Sequence, residues 1–210
     1  MKVFKFAALF VFSQLSIAQE HLHPEDSIYG GGLVTLDYHL FVTNAFKAAY
    51  SGDVILKVIT IPSFHPESAL YIEKSNGTYS LILLEAETHY WGKYDRNYVA
   101  TPIEKCKVSL DENLAIKVES AWLKELFKTK YPNKYVGGMD GTTYHFSTPP
   151  KRLNDDNPFG LIPDMAGVTW SPEPESRVGM LVGLSEALTQ FCQKNNSAEN
   201  IQNMLSKLAQ

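Results

Sequence analysis

Cysteine is nearly absent from this chain: Cys106 and Cys192 are the only two among 210 residues. That excludes a small disulfide-built scaffold, and no C-x-x-C is present to make a zinc ribbon or a dithiol redox centre. An excess of positive charge is also missing. The 19 Lys and Arg are outnumbered by 23 Asp and Glu, and no basic run occurs, which disfavours nucleic acid and anionic membranes as partners. Beyond the N-terminus there is no apolar run of eighteen residues, so no later membrane anchor is expected. The chain has no H-E-x-x-H, no P-loop and no dinucleotide-binding glycine pattern. Gly183-Leu184-Ser185-Glu186-Ala187 half matches the nucleophile elbow but sits in a helical pattern, not at a strand-to-helix turn. No cofactor is implied.

The positive content starts with residues 1–18. Lys2 and Lys5 precede a mostly apolar stretch from Phe6 to Ile17, and Ser16-Ile17-Ala18 ends on a small residue. This is the three-part pattern of a cleavable secretory signal. It leads to the expectation of a periplasmic or secreted protein, and no cysteine follows the cleavage point to carry a lipid. Without Lys2 and Lys5, the 23 acidic residues face 17 basic ones, a net charge of −6. In an oxidising compartment Cys106 and Cys192 can form one bridge; two reduced, buried thiols are the alternative.

Residues 19–32 read as a flexible arm ending in Gly30-Gly31-Gly32, and residues 33–210 as a single domain. Tyr38, Phe41, Val42, Ala45, Phe46 and Ala49 mark one face of a helix from Thr35 to Tyr50, with Gly52 at its C-terminal stop. Strands are expected over 53–61, 69–74 and 78–86, the last two joined by an Asn76-Gly77 hairpin turn. Leu81 and Leu83 alternate with Ile82 and Leu84, so the third strand belongs near the middle of a sheet covered on both faces. A strand at 105–110 leads into a helix to about Lys130, with Ser109 as cap and Glu112 completing a capping box. Asp140-Gly141 reads as a hairpin-type turn opening a strand over Thr142–Thr148. Helices are expected over 175–193 and 198–209. The fold class is α+β: a mainly antiparallel sheet of five or six strands with three to four packed helices.

The segment from Pro149 to Pro174 holds six prolines. Val168-Thr169-Trp170 is expected to return beside Tyr144-His145-Phe146, leaving a long excursion between them. Loops of that length in compact domains are often functional. Strand alternation puts Tyr144 and Phe146 in the core and Thr143, His145 and Ser147 on a polar, solvated stripe. The expected binding set is therefore Thr143, His145, Ser147, Asp155, Asp156, Phe159 and Trp170. His145 with Asp140 or Asp164 is the catalytic alternative, a hydrolase of unrecognised type. Glu85, Glu87 and His89 would share a face if their strand ran on, a row that could bind a divalent cation or simply form the solvated end of a strand. Cleavage after Ala18 would place His21 third from a free amine, and His21 with His23 could then hold Cu(II) or Ni(II).

The succession Pro62-Ser63-Phe64-His65-Pro66-Glu67, Trp122 within a helix, Asp140-Gly141-Thr142-Thr143-Tyr144-His145-Phe146 and Trp170-Ser171-Pro172 resembles a group of small secreted proteins of Gram-negative bacteria. The resemblance implies a periplasmic or secreted location and transfers no catalytic residues. Together these readings lead to the expectation of an exported, soluble binding protein without recognisable catalytic machinery. Its expected partner is another envelope protein or a toxin that it binds or inhibits.

Overall fold

The computed structural model describes residues 20–24, 33–91, 101–132, 140–149, 151–152, 161–162, 164–194 and 198–210, with backbone only at 33–36, 151–152 and 161–162. The first helix, α1 (Leu33–Ala45), continues into a 3-10 turn at Lys47–Tyr50. Three strands follow, β1 (Val54–Pro62), β2 (Ser68–Ser75) and β3 (Thr78–Glu85), then β4 (Ile103–Leu110) and α2 (Glu112–Leu126). The remaining elements are β5 (Thr142–Thr148), the two-residue pair β6 (Lys151–Arg152) and β7 (Leu161–Ile162), β8 (Met165–Trp170), α3 (Arg177–Lys194) and α4 (Glu199–Ala209). Six strands form one sheet in the order β4-β3-β2-β1-β5-β8, and all its pairings are antiparallel. Among the described residues this six-stranded sheet packs with four α-helices, the α+β arrangement expected from the sequence.

The alternating apolar pattern divides the interior in two. Leu56, Val58, Leu70, Ile72, Leu81 and Leu83 join Trp122, Phe146, Leu181, Leu184 and Leu188 in one cluster, under α2, α3 and α4. Ile59, Ala69, Tyr71, Ile82 and Leu84 join Tyr38, Val42, Phe46 and Ala49 in the other, under α1. β3 is covered on both faces as its sequence demands, but it lies second from the edge rather than central. What matters for such a strand is cover above and below, and three flanking helices reach that far out. Among the described residues no helix is long and apolar enough to cross a membrane.

Local chemistry explains most element ends. Asn76 and Gly77 both adopt positive φ, 50° and 78°, the geometry of the tight type I′ turn that joins twisted hairpin strands. Ser109 is not the cap of α2. Asp111 is, its side chain accepting from the Leu114 amide at 3.1 Å. Ser109 remains in the β4 ladder opposite Ser80, so the strand keeps its backbone extended for two residues beyond the expected switch. Gly52 does not end α1 either: the chain tightens first into the 3-10 turn, closed by the Ser51 amide on the Ala48 carbonyl.

Two covalent or ionic ties fix the α2–α3–α4 layer. Cys106 of β4 and Cys192 of α3 form a disulfide across 86 residues, so the bridged alternative is the one realised. Glu125 of α2 is 1% exposed. It accepts from Arg177 Nε and Nη2 at 3.0 and 2.8 Å and from Lys128 Nζ at 3.1 Å. Arg177 also donates to the Leu208 carbonyl of α4, so one guanidinium joins three helices. Closing a loop of this length is worth roughly 4–5 kcal/mol by the chain-entropy estimate. Replacing both Cys106 and Cys192 with Ala should therefore lower unfolding stability by about that amount. Denaturant titration against the oxidised wild type measures it, and superimposable curves would contradict the estimate.

Candidate functional site

The antiparallel register brings several chain reversals to one end of the sheet. Pro62 of β1 faces Thr142 of β5, Ser68 faces Glu85, Glu85 faces Ile103, and Thr143 faces Trp170. The β1–β2 turn, the exit of β3, the entry to β5 and the exit of β8 therefore adjoin one another. They are bonded together. The Ser63 amide donates to the Gly141 carbonyl at 2.8 Å, and the Gly141 amide donates to Ser63 Oγ at 3.0 Å. The Thr142 amide donates to Ser171 Oγ at 2.9 Å, and the Ser171 amide returns a bond to the Thr142 carbonyl at 2.9 Å.

Gly141 is required here by space. A Cβ at this position would lie 2.5 Å from Ser171 Oγ and 2.7 Å from Trp170 Cε2. At the expected Asp140-Gly141 turn the β5 entry closely crosses the β8 exit, and residues 133–139, which lead into it, lie outside the described ones. Ser171 itself has a φ of 37°, which turns the chain sharply after Trp170. A sparsely populated backbone such as this is held in place by the bonds around it.

Glu67 anchors the fourth segment. Its side chain is fully buried and accepts from the Tyr90 amide through both oxygens, at 3.0 and 2.9 Å. It also accepts from the Tyr38 hydroxyl of α1, and His89 Nε2 lies 3.6 Å away. Tyr38 in turn meets Trp91 edge to face, with ring centroids 4.7 Å apart. One carboxyl group thus ties α1, the β1–β2 turn and the chain leaving β3. On the outside of this frame Phe64 is 73% exposed and Trp91 50% exposed. His65 and Asp140 are exposed beside them, and Trp170 is half-buried. Large apolar side chains left in water on a rigid loop cluster are a feature of recognition surfaces.

The residues singled out from the sequence divide into three groups. Thr143 and Trp170 face each other on neighbouring strands at this end of the sheet. His145 and Ser147 are not solvated: they are 5% and 7% exposed, which corrects the expected polar surface stripe. They lie on the α1 side, where the His145 ring packs 4.6 Å from that of His39, and Ser147 opposes Lys57 of β1. Lys57, itself 4% exposed, holds Nζ 4.0 Å from the Tyr50 ring centroid. Asp155, Asp156 and Phe159 lie outside the described residues, as do the signal segment and Gly30-Gly31-Gly32.

Along the strands, neither of the expected carboxylates is a near neighbour of His145 among the described residues. Asp140 precedes it by five residues, about 16 Å along an extended chain at about 3.3 Å per residue. Asp164 stands four residues before Val168, the cross-strand partner of His145, which is about 13 Å at the same rise. Both carboxylates are exposed. The Glu85-Glu87-His89 row does not form, because β3 ends at Glu85. His89 turns towards Glu67 instead, and Glu85 pairs with Lys105 at 3.1 Å.

The described part of the expected flexible arm is docked. Leu22 is fully buried and His23 is 4% exposed. His23 and Val168 exchange backbone bonds of 2.9 and 2.7 Å, and the Lys130 amide bonds the Leu22 carbonyl at 3.1 Å. This short bridge covers the outer edge of β8, because an apolar Leu22 side chain gains more from burial than a loose terminus would. The His21 and His23 rings lie 5.3 Å apart, and His21 Nδ1 is 3.1 Å from the Leu22 carbonyl oxygen. Burial, then the neighbouring His21 charge, pushes the His23 pKa below its ordinary 6.5.

No family model, curated protein or solved structure matches this chain.

Two outcomes test this frame. Glu67→Ala removes the acceptor for the buried Tyr90 amide and Tyr38 hydroxyl and should cost roughly 2–4 kcal/mol of stability. Glu67→Gln, which retains one acceptor oxygen, should cost less; an Ala variant unfolding with the wild type would sink the anchoring role. For the docked segment, the depressed His23 pKa means the unfolded state binds more protons below pH 6.5. Its contribution is complete above that value and shrinks as pH falls. Exchange of the His23 and Val168 amides, corrected for intrinsic rate, should show easier opening at pH 5.5 than at pH 8; a pH-independent opening equilibrium would contradict it.

Proposed function

We propose that this chain is an exported binding protein, and that it meets its partner through the bonded loop cluster at one end of the sheet. The observation that carries the reading is the solvent exposure of Phe64 on a turn that is otherwise fixed from both sides. Ser63 is bonded to Gly141, and Glu67 is buried against Tyr38 and Tyr90. A large aromatic group on a turn whose backbone is already fixed adds little backbone ordering cost on binding, so its buried area converts efficiently into affinity. Trp91, His65, Asp140 and the half-buried Trp170 supply a mixed aromatic and polar surround suited to a protein surface. The Cys106–Cys192 bridge supports the oxidising location that the N-terminal pattern suggests. Another envelope or secreted protein, such as a toxin or enzyme to be restrained, is the partner class consistent with that location.

Photo-crosslinking tests the surface directly. A photo-reactive phenylalanine analogue at position 64 should give a discrete adduct in extract from the compartment where the protein resides, whereas one at Gln190 on α3 should not. Phe64→Ser should leave the thermal midpoint unchanged and weaken capture of the same partner at least about tenfold, the loss typical of an aromatic anchor. Equal adducts from both positions, or undiminished capture by the Ser variant, would overturn the reading.

A further inference from the structure

A second surface, away from the loop cluster and independent of it, lies between α2 and α4. The two helices enclose an open groove of about 610 Å³. Its α2 wall is formed by Ile116, Lys117, Ser120, Ala121 and Lys124, and its α4 wall by Gln202, Leu205, Ser206, Leu208 and Ala209. The spacing explains the shape. On α4, positions 202, 205, 206 and 209 fall on one helical stripe, and small residues at Ser206 and Ala209 keep that wall low. Ser120 and Ala121 do the same on α2. The floor is apolar, and Ile116 at its rim is 45% exposed.

The charge on this groove is of one sign. Lys117 and Lys124 are exposed, no carboxylate lines it, and neither lysine has an ion-pair partner among the described residues. That stands out on a chain whose acidic residues outnumber its basic ones. The two lysines are seven residues apart, two helical turns, so their stems emerge about 10.5 Å apart along the axis of α2.

We infer that this groove docks an acidic amphipathic helix of a partner protein, two or more turns long, with carboxylates seven residues apart and apolar side chains between them. The spacing favours two separate charges: stems rooted about 10.5 Å apart can each take a carboxylate of their own, whereas a single-headed amphiphile such as a fatty acid must draw both flexible stems to one point, at a cost in side-chain entropy. A helix with acidic residues at i and i+7 presents both charges at the matching separation and lays its apolar face on Ala121, Leu205 and Ile116.

Panning a displayed library of two- to four-turn helices against the folded, oxidised protein tests this. Enrichment of Glu or Asp at i and i+7, with Leu, Ile or Met between them, is expected. The doubly charge-reversed variant (Lys117→Glu with Lys124→Glu) should bind the selected peptides roughly tenfold more weakly, the scale of two exposed ion pairs. Panned afresh, it should enrich Lys or Arg at those same positions. Both lysines are exposed, so its circular dichroism spectrum should match the wild type, with the thermal midpoint only slightly lowered because Lys124 stands in the last turn of α2, where a cation is favoured. Enrichment without the spaced acidic pair, or a peptide set unchanged by charge reversal, would overturn the inference. So would binding to phosphatidylglycerol-containing vesicles that charge reversal abolishes while no peptide is enriched, which would assign the groove to a lipid surface.

Discussion

The sheet is apolar on both faces, and neither face can be left in water. Leu56, Val58, Leu70, Ile72, Leu81 and Leu83 point one way, while Ile59, Tyr71, Ile82 and Leu84 point the other. At roughly 25 cal/mol per Å² of apolar surface, leaving either side bare would forfeit more than the few kcal/mol by which a domain is stable. The four helices are the answer to that constraint, one below and three above. Each layer is then fixed by a buried carboxyl group: Glu67 holds α1 to two loops, and Glu125, through Arg177, joins α2, α3 and α4. Apolar contact alone is non-directional, so these bonded groups set where each layer sits. Removing either partner leaves buried polar atoms unsatisfied, which makes such ties specific as well as stabilising.

The same constraint determines where function can be placed. With both faces of the sheet covered, recognition is left to strand ends and to helix surfaces turned outward. The loop cluster with Phe64 and Trp91, proposed as the partner surface, lies at strand ends, where Ser63, Gly141, Thr142 and Ser171 exchange bonds across three segments. The groove between α2 and α4, proposed as a second docking surface, lies on the helix surface, its walls kept low by Ser120, Ala121, Ser206 and Ala209. His145, Ser147 and Lys57 belong to neither. They form a buried polar band beside α1, and the packing of His39 on His145 gives that band a structural surround.

Much of the architecture could be read locally. Alternation in Leu81-Ile82-Leu83-Leu84 gives a strand covered twice, the stripe through Tyr38, Val42 and Ala45 gives α1, and Asn76-Gly77 gives a tight hairpin. Each signal is contained within a few residues, so no distant partner is needed to interpret it. The errors occur where two local options have similar energies. Ser109 and Asp111 are both good caps, and the choice fell to Asp111 because Ser109 was already paired with Ser80 in the sheet. His145 alternates like a surface residue, and only the arrival of α1 with His39 buried it. Glu67 had no local sign of burial, since its partners Tyr38 and Tyr90 come from 29 and 23 residues away.

By itself the sequence determined the kind of elements and the class of fold, because periodicity, turn residues and the count of apolar positions act over short range. It also marked three separated segments, at Ser63–Phe64, Asp140–Gly141 and Trp170–Ser171. Only the tertiary structure decided that these meet, since cross-strand register brings together residues far apart along the chain. It likewise decided that Cys106 reaches Cys192, that residues 22 and 23 cover the β8 edge instead of trailing in water, and that α2 and α4 leave a groove rimmed by Lys117 and Lys124. The physical reason is common to all of them. A side chain's intrinsic chemistry is local, but its burial, its partners and the charge around it are properties of whatever packs against it.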